Sequence, residues 1–320
     1  PYPYLRELIE RRRDPYSEHS RRKRGSGVRP ISIPEPVLMD VQRFILDSAL
    51  SNISFSASSF AYQKGKSVVD CASRHLGARW LVKLDLHNFF SSVREQDVYS
   101  AFQARGYSRL VSFELARLCT RASLQSNLAP DRYPCITSYR STSVGVLPQG
   151  APTSGALANI AATPIDGALT ALAENNGAVF TRYSDDLTFS VGGEFCRERA
   201  STLISHARRI ITDHHFVLHE KKTRVIPPGA RHIVLGLNVD GPSVKLLPEF
   251  RRRIESHLRG VETFGLHRHA EHRGFRSVLS MINVIDGCIS YALDVEREWA
   301  QRRRLEWTAI LQEADYLPSI

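Results

Sequence analysis

The chain has 320 residues, 42% of them hydrophobic, and carries 43 lysines and arginines against 33 acids, a formal charge of +10. That length buries a substantial core and accommodates two or three subdomains. The excess charge is mostly arginine, whose planar fork suits phosphate, so a polyanionic partner is expected. No signal peptide opens the chain and no unbroken span of about 20 apolar residues is read, which points away from a membrane and toward a cytoplasmic protein. The charge-free stretch 141–164 is interrupted by Pro148, Gly150, Pro152 and Gly155. Five scattered cysteines without a C-x-x-C read as reduced structural thiols.

Taken in chain order, residues 5–10 are helix-like and lead into the basic runs Arg11-Arg12-Arg13 and Arg21-Arg22-Lys23-Arg24. Gly25-Ser26-Gly27 signals a turn, and Arg29-Pro30-Ile31-Ser32-Ile33-Pro34 alternates as a strand does, so a β-hairpin with a basic tip is expected. Residues 37–51 have helical spacing. A glycine-punctuated loop over 60–66 precedes Ser67, placed to cap a helix over 68–76. A short buried strand follows at 81–86, then helices at 95–105 and 112–124. Residues 125–145 read as a polar, turn-rich insertion, and 155–173 as an apolar helix. Strands flank Ser184-Asp185, and 200–214 is amphipathic. Residues 233–239 and 243–246 form a hairpin around Asp240-Gly241-Pro242. From 248 onward the chain is helical and basic.

Two adjacent acids, Asp185 and Asp186, lie in Tyr183-Ser184-Asp185-Asp186 between β-prone residues, at the bend of a strand–turn–strand. Adjacent carboxylates repel, and a divalent metal is the usual way to neutralise them. Asp85 supplies a third acid at the end of the strand at 81–86, before Phe89-Phe90. Asp85, Asp185 and Asp186 are what a two-magnesium nucleotidyl-transfer site needs, with the Leu86 carbonyl as a further ligand. One such metal lowers the pKa of the attacking hydroxyl and the other holds the triphosphate. Candidate phosphate contacts are Arg21, Arg22, Lys23 and Arg24 on the hairpin, and Arg251, Arg252 and Arg253 on a C-terminal helix. Successive helical residues point about 100° apart, so these last three cannot face one groove. Ile254, Leu258 and Val261 are expected to pack inward. The closely spaced His267, His269 and His272 lack the partners of a zinc site and read as structural or RNA-facing.

The order Asp85, Leu147-Pro148-Gln149-Gly150, Tyr183-Ser184-Asp185-Asp186 and Lys221-Lys222-Thr223 resembles reverse transcriptases over 29–259. The resemblance implies an α+β right-hand polymerase: fingers over 1–80, a palm with an antiparallel sheet over 81–240, and a helical thumb over 241–320. It places Gln149 near the sugar of the incoming nucleotide and makes Phe90 the steric gate that excludes a 2′-hydroxyl, hence deoxynucleotide substrates. It puts Arg29 on the triphosphate, with a solvated charge as the alternative. Lys222 becomes a general acid for the leaving pyrophosphate, with Lys221 as the alternative.

Further details look most like bacterial retron enzymes. Ala61-Tyr62-Gln63-Lys64-Gly65-Lys66-Ser67 resembles their Gly-Phe-x-x-Gly-x-Ser loop, with Ala61 in place of glycine. Cys71-Ala72-Ser73-Arg74-His75 has Cys71 in place of asparagine, and Val234-Leu235-Gly236 has Leu235 in place of threonine. The retron resemblance implies a structured noncoding RNA as template and, through an internal guanosine 2′-hydroxyl, as primer. It also implies a branched RNA–DNA product, a role in antiphage defence and a separate effector protein. A different bacterial defence or intron-derived reverse transcriptase, and a nonpolymerising RNA-binding scaffold, remain open alternatives.

Overall fold

The computed structural model describes residues 2–22, 28–51, 53–122 and 144–316. Lys23, Arg24, the Gly25-Ser26-Gly27 turn, Cys135 and most of the insertion expected at 125–145 lie outside the described residues. Helix α1 (Tyr2–Ile9) precedes strands β1 (Tyr16–Arg22) and β2 (Val28–Pro34), followed by α2 (Pro36–Ser48) and α3 (Val68–Ser73). Strand β3 (Trp80–Asp85) leads into α4 (Phe89–Ser92), α5 (Glu95–Gln103) and α6 (Arg109–Cys119). The short strands β4 (Arg121–Ala122) and β5 (Gly145–Val146) precede the long α7 (Ser154–Asn175). Strands β6 (Val179–Tyr183) and β7 (Asp186–Val191), helix α8 (Arg197–Asp213) and β8 (Arg224–Ile226) follow. Strands β9 (Ile233–Val234), β10 (Leu237–Asn238) and β11 (Lys245–Leu246) lead to helices α9 (Pro248–His272), α10 (Val278–Val295) and α11 (Arg297–Glu313).

The chain forms two compact units. The first holds Pro1–Lys66, Val82–Phe189 and Gly193–Val225, and the second Ser67–Leu81, Ser190–Gly192 and Ile226–Ile320. These units do not follow the boundaries at 80 and 240 expected from sequence. Helix α3 belongs with the C-terminal helices because Ala72, Val68, Val69 and Leu76 pack into their core. Its first turn is closed by the expected cap: Ser67 and Asp70 bond reciprocally, side chain to backbone.

In the first unit, β1 and β2 pair antiparallel from Tyr16↔Pro34 to Arg22↔Val28. Only the inner end of β2 is buried, so the basic end of the hairpin is exposed. A four-stranded sheet runs in the order β6-β7-β3-β8. Its apolar residues Val82, Leu84, Leu187 and Phe189 pack with Leu157, Ile165 and Leu169 of α7.

Beneath the β6–β7 turn lies a buried ion pair. Arg182 is fully buried on β6, and its guanidinium donates to both Asp166 carboxylate oxygens, at 2.6 and 2.7 Å. It also donates to Asn159 Oδ1 at 2.9 Å, Ser59 Oγ at 3.0 Å and the Ser184 carbonyl at 3.2 Å, and lies over the Phe89 ring. Burial pushes the Asp166 carboxyl up, and the Arg182 charge pulls it back.

In the second unit, the strand expected over 233–239 is split. Leu235 and Gly236 both have positive φ, 51° and 82°, which forms the two-residue turn that pairs Val234 with Leu237. The helix expected at 112–124 ends at Cys119, because Thr120 turns extended and Arg121 pairs with Val146. On α9, Ile254, Leu258 and Val261 are buried, as their spacing predicts. By length and composition α7 and α10 are apolar enough to cross a membrane, whereas no such span is expected from sequence. Pro164 lies inside α7 without ending it. Half of the α7 window is buried, and its Ala158, Ala162, Ile165 and Leu169 line the first unit's core.

Asp166→Ala would strand the Arg182 charge in a dry site and is expected to lower stability by about 3–5 kcal/mol. Replacing both partners, Asp166→Leu with Arg182→Met, is expected to lose less. Urea unfolding followed by circular dichroism compares the two, and a larger loss in the double variant would contradict the assignment.

Candidate active site

Strand β3 delivers Asp85 at its C-terminal end, and the β6–β7 turn delivers Asp185 and Asp186. Ser184 makes that turn possible with φ 59°, a left-handed conformation rarely adopted by a serine. The backbone joins the two elements directly, since Leu86 N–H donates to the Asp185 carbonyl at 2.9 Å. On the other side of β3, His219 N–H donates to the Asp85 carbonyl at 2.7 Å. That bond brings in the 3-10 turn Glu220–Lys222. Lys222 Nζ donates to Asp85 Oδ2 at 2.6 Å, so of the two adjacent lysines Lys222 is the one fixed on the site. Asp85 itself is buried.

The carboxylates feel one another. The Asp186 carboxyl is pushed up to about 6, by burial first, then by the charges of Asp185 and Asp85, with Lys83 and Lys222 opposing. Hard oxygen donors with mutual repulsion are what a divalent cation would bind. Among the described residues no three acids, histidines or cysteines stand grouped as a ready cation cage. The Asp85 oxygen that a metal would take is engaged by Lys222 instead. The donor chemistry of Asp85, Asp185 and Asp186 therefore fits a metal, provided the lysine yields that oxygen.

Phe90, Gln149 and Arg29 also lie in the first unit. Phe90 is half-buried at the start of α4, its ring tilted on Phe89 with centroids 5.6 Å apart. The Gln149-Gly150 turn is tied to the fingers hairpin, where Ser32 N–H donates to the Gln149 carbonyl at 2.8 Å. Gly150 has φ 124°, and a Cβ there would stand 2.8 Å from both Ile31 Cγ2 and the Ser32 carbonyl oxygen. Only glycine lets the turn approach the strand so closely. Arg29 is exposed on β2, opposite Arg21. Its charge reaches Tyr62: burial raises that phenol, Asp185 adds to the rise, and the Ser184 hydrogen bond, Arg29 and Arg182 oppose it.

Three residues around the turn are additions to the sequence-derived set. Arg182 and Asp166 support the turn from below, and Tyr62 reaches it from the side, sharing a hydrogen bond with Ser184 Oγ at 3.0 Å. A signal for the first pair exists in the sequence. Asp166 is the only charge in the apolar run 154–173, and a lone buried acid requires a partner.

The basic residues proposed for RNA divide. Arg21 and Arg22 are exposed on β1. Arg251 is not a free surface charge: it makes a bidentate pair with Glu296, whose side chain is buried, and lies over the Trp299 ring. Lys245 joins the same carboxylate at 3.6 Å. Arg252 and Arg253 are exposed, Arg253 covering the Phe250 ring and reaching Cys288 Sγ. Since α9 packs through Ile254, Leu258 and Val261, Arg251 is carried toward α11 and is a structural tie.

The model of the family "Reverse transcriptase (RNA-dependent DNA polymerase)" matches residues 21–239. The chain belongs to the reverse transcriptase family. The fingers hairpin and palm sheet of that polymerase fold lie in the first unit and the thumb helices in the second. Members of this family work with a divalent metal and an RNA template. Similar curated proteins include the retron Ec86 reverse transcriptase of Escherichia coli, 27% identical over 89% of this chain and 77% of that protein. The retron Mx65 reverse transcriptase of Myxococcus xanthus is 32% identical over 82% of this chain, and the retron Mx162 enzyme of the same organism 30% identical over 73%. The chain spans 60% and 50% of those two relatives' lengths. Among solved structures, telomerase from Candida albicans matches with a TM-score of 0.49 at 11% identity, over 96% of this chain and 56% of that one.

Asp186→Asn is expected to raise the melting temperature of the metal-free protein by a few degrees at neutral pH. The raised carboxyl binds its proton more tightly folded than unfolded, so its ionisation weakens the fold as pH rises from the ordinary carboxylate range to about 6. The gain should vanish near pH 4 and be level above about 6, as thermal melts across pH will show. Arg251→Gln is expected to lower the melting temperature by several degrees, because Glu296 loses its bidentate partner, while Arg252→Gln leaves it nearly unchanged. Equal effects from the two would contradict the division drawn between them.

Proposed function

We propose that the chain is a retron-type RNA-directed DNA polymerase that copies a structured noncoding RNA into DNA with two magnesium ions. The observation that carries this reading is the convergence of Asp85, Asp185 and Asp186 from β3 and the β6–β7 turn. Burial, and then the charges of Asp185 and Asp85, raise the Asp186 carboxyl, and Lys222 is bonded to Asp85. These carboxylates and the Leu86 carbonyl would hold magnesium, which would supply Lewis acidity toward the primer hydroxyl and charge neutralisation for the triphosphate. The remaining work belongs to the chain's own side chains. Gln149, held by the fingers hairpin, meets the nucleotide near its sugar. Phe90 fills the space that a 2′-hydroxyl would need. Arg29 balances the triphosphate charge from the exposed hairpin. Lys222, displaced from Asp85 when the site fills, becomes the proton donor to the leaving pyrophosphate.

The retron assignment is supported by the relatives' identity and by the loop Ala61–Ser67, while Ala61 in that loop, Cys71 and Leu235 depart from the retron pattern. On that reading the RNA serves as both template and primer, the product is a branched RNA–DNA hybrid of the multicopy single-stranded DNA type, and a separate effector protein completes an antiphage system. The exposed Arg21, Arg22, Arg252 and Arg253 supply sequence-independent attraction to the RNA.

Asp185→Asn is expected to abolish magnesium-dependent primer extension on an RNA template while leaving RNA affinity within about twofold, since the binding surface is elsewhere. Extension is followed by labelled primer length and affinity by filter binding. Extension at near the unaltered rate would sink the site. Sequencing the nucleic acid that copurifies with the protein tests the retron assignment, for which a branched RNA–DNA species is the expected find.

A further inference from the structure

Tyr62 is 51% exposed, has φ 58°, and still makes three specific contacts. Its ring meets Phe90 edge-on with centroids 5.9 Å apart. Its hydroxyl shares a 3.0 Å hydrogen bond with Ser184 Oγ in the carboxylate-bearing turn. Its Cβ, Cγ and Cδ1 lie against Gly155, where a Cβ would fall 2.6 Å from Cγ and 3.0 Å from Cβ. Those are atoms at the root of the side chain, so no rotation of the ring tip relieves the clash.

The loop below it is anchored. Phe60 N–H donates to the Arg182 carbonyl at 2.9 Å, Arg182 N–H to the Ser58 carbonyl at 2.7 Å, and Asn159 Nδ2 to the Ala61 carbonyl at 2.7 Å. A left-handed tyrosine is a strained choice where glycine would be free, and half of its surface remains in water. Hydrophobic burial therefore does not account for it. Its contacts do, and they join two parts that must stay in register during nucleotide selection: the ring that senses the sugar and the turn that carries Asp185.

We propose that Tyr62 is a positioning residue for sugar discrimination, bracing the Phe90 ring from the open side while its hydroxyl steadies the turn through Ser184. This deepens the reading of Phe90 as the gate and rests on it. The two contacts make separable contributions. The ring acts on the ratio of deoxy- to ribonucleotide use, because Phe90 is packed by both Phe89 and Tyr62. The hydroxyl acts on the rate with either nucleotide, because Ser184 sits beside Asp185 whatever the sugar.

The experiment measures kcat/KM for matched deoxy- and ribonucleotides on a preformed primer–template with the full chain. Tyr62→Ala is expected to lower the deoxy-to-ribo preference by roughly tenfold. Tyr62→Phe should keep the preference within about twofold while lowering kcat equally for both nucleotides. Gly155→Ala should displace the tyrosine and mimic Tyr62→Ala, yet have no further effect on the preference in the Tyr62→Ala background. Where Tyr62→Ala does not fold, Gly155→Ala alone decides. Phe90→Ala is the reference. If it lowers the preference and neither Tyr62→Ala nor Gly155→Ala does, the positioning role is overturned and the gate stands. If Phe90→Ala also leaves the preference unchanged, the gate reading falls, and the bracing role with it.

Discussion

The candidate site depends on one buried ion pair. Arg182 and Asp166 are both without solvent exposure, and the guanidinium spends all three nitrogens on fixed acceptors. Burying two charges is expensive, and such a pair rarely exceeds an apolar replacement in stability. What it supplies is direction. One guanidinium nitrogen holds α7 through Asn159, another holds the 58–60 loop through Ser59, and the turn itself is held through the Ser184 carbonyl. An apolar core could pack these elements at similar density, but it could not specify where a serine with positive φ places the two acids that follow it.

Around that fixed turn, the charges form a deliberate imbalance. Three carboxylates share a strand end, and the nearest lysine pairs with the one that is buried most. Burial raises the Asp186 carboxyl first, and the charges of Asp185 and Asp85 add to the rise. The charges of Lys83 and Lys222 oppose that rise without cancelling it. A site arranged to receive cations leaves the negative potential in place and accepts the destabilisation until they arrive. Lys222 is held on Asp85 by a 2.6 Å hydrogen bond, with its side chain half-exposed.

Much of this was legible in the sequence, for identifiable reasons. Apolar periodicity placed α2, β3 and α7 within a few residues of their observed limits, because those elements face a core along their length. The sequence also placed Asp85 at a strand end and Asp185 and Asp186 at a strand–turn–strand bend, as the structure has them, because strand ends and turns are set by local residues. The illegible parts are contacts between residues far apart in the chain. Lys222 could not be separated from Lys221 until the backbone bond from His219 to Asp85 fixed the phase of the 3-10 turn. Tyr62 and Ser184 are 122 residues apart, and nothing in either neighbourhood announces the other. The split of the 233–239 strand failed for a different reason: Leu235 is a poor residue for a left-handed turn, so propensity argued against the conformation that tertiary packing imposes.

The thumb shows the same distinction between composition and placement. A run of three arginines on α9 reads as a phosphate surface, yet helical geometry sends them in different directions, and buried Glu296 captures the first. The Trp299 face completes that capture, and Lys245 shares the same carboxylate at 3.6 Å. Arg251 is thus tied to a buried acid rather than displayed at the surface. Its neighbours Arg252 and Arg253 keep their charge at the surface, where counterion release operates. Net charge of +10 therefore overstates the field available to RNA from this helix. Attraction to phosphate is governed by the arginines that have no buried acid to answer, and the position of Glu296 at the joint between α10 and α11 decides which of the three that excludes.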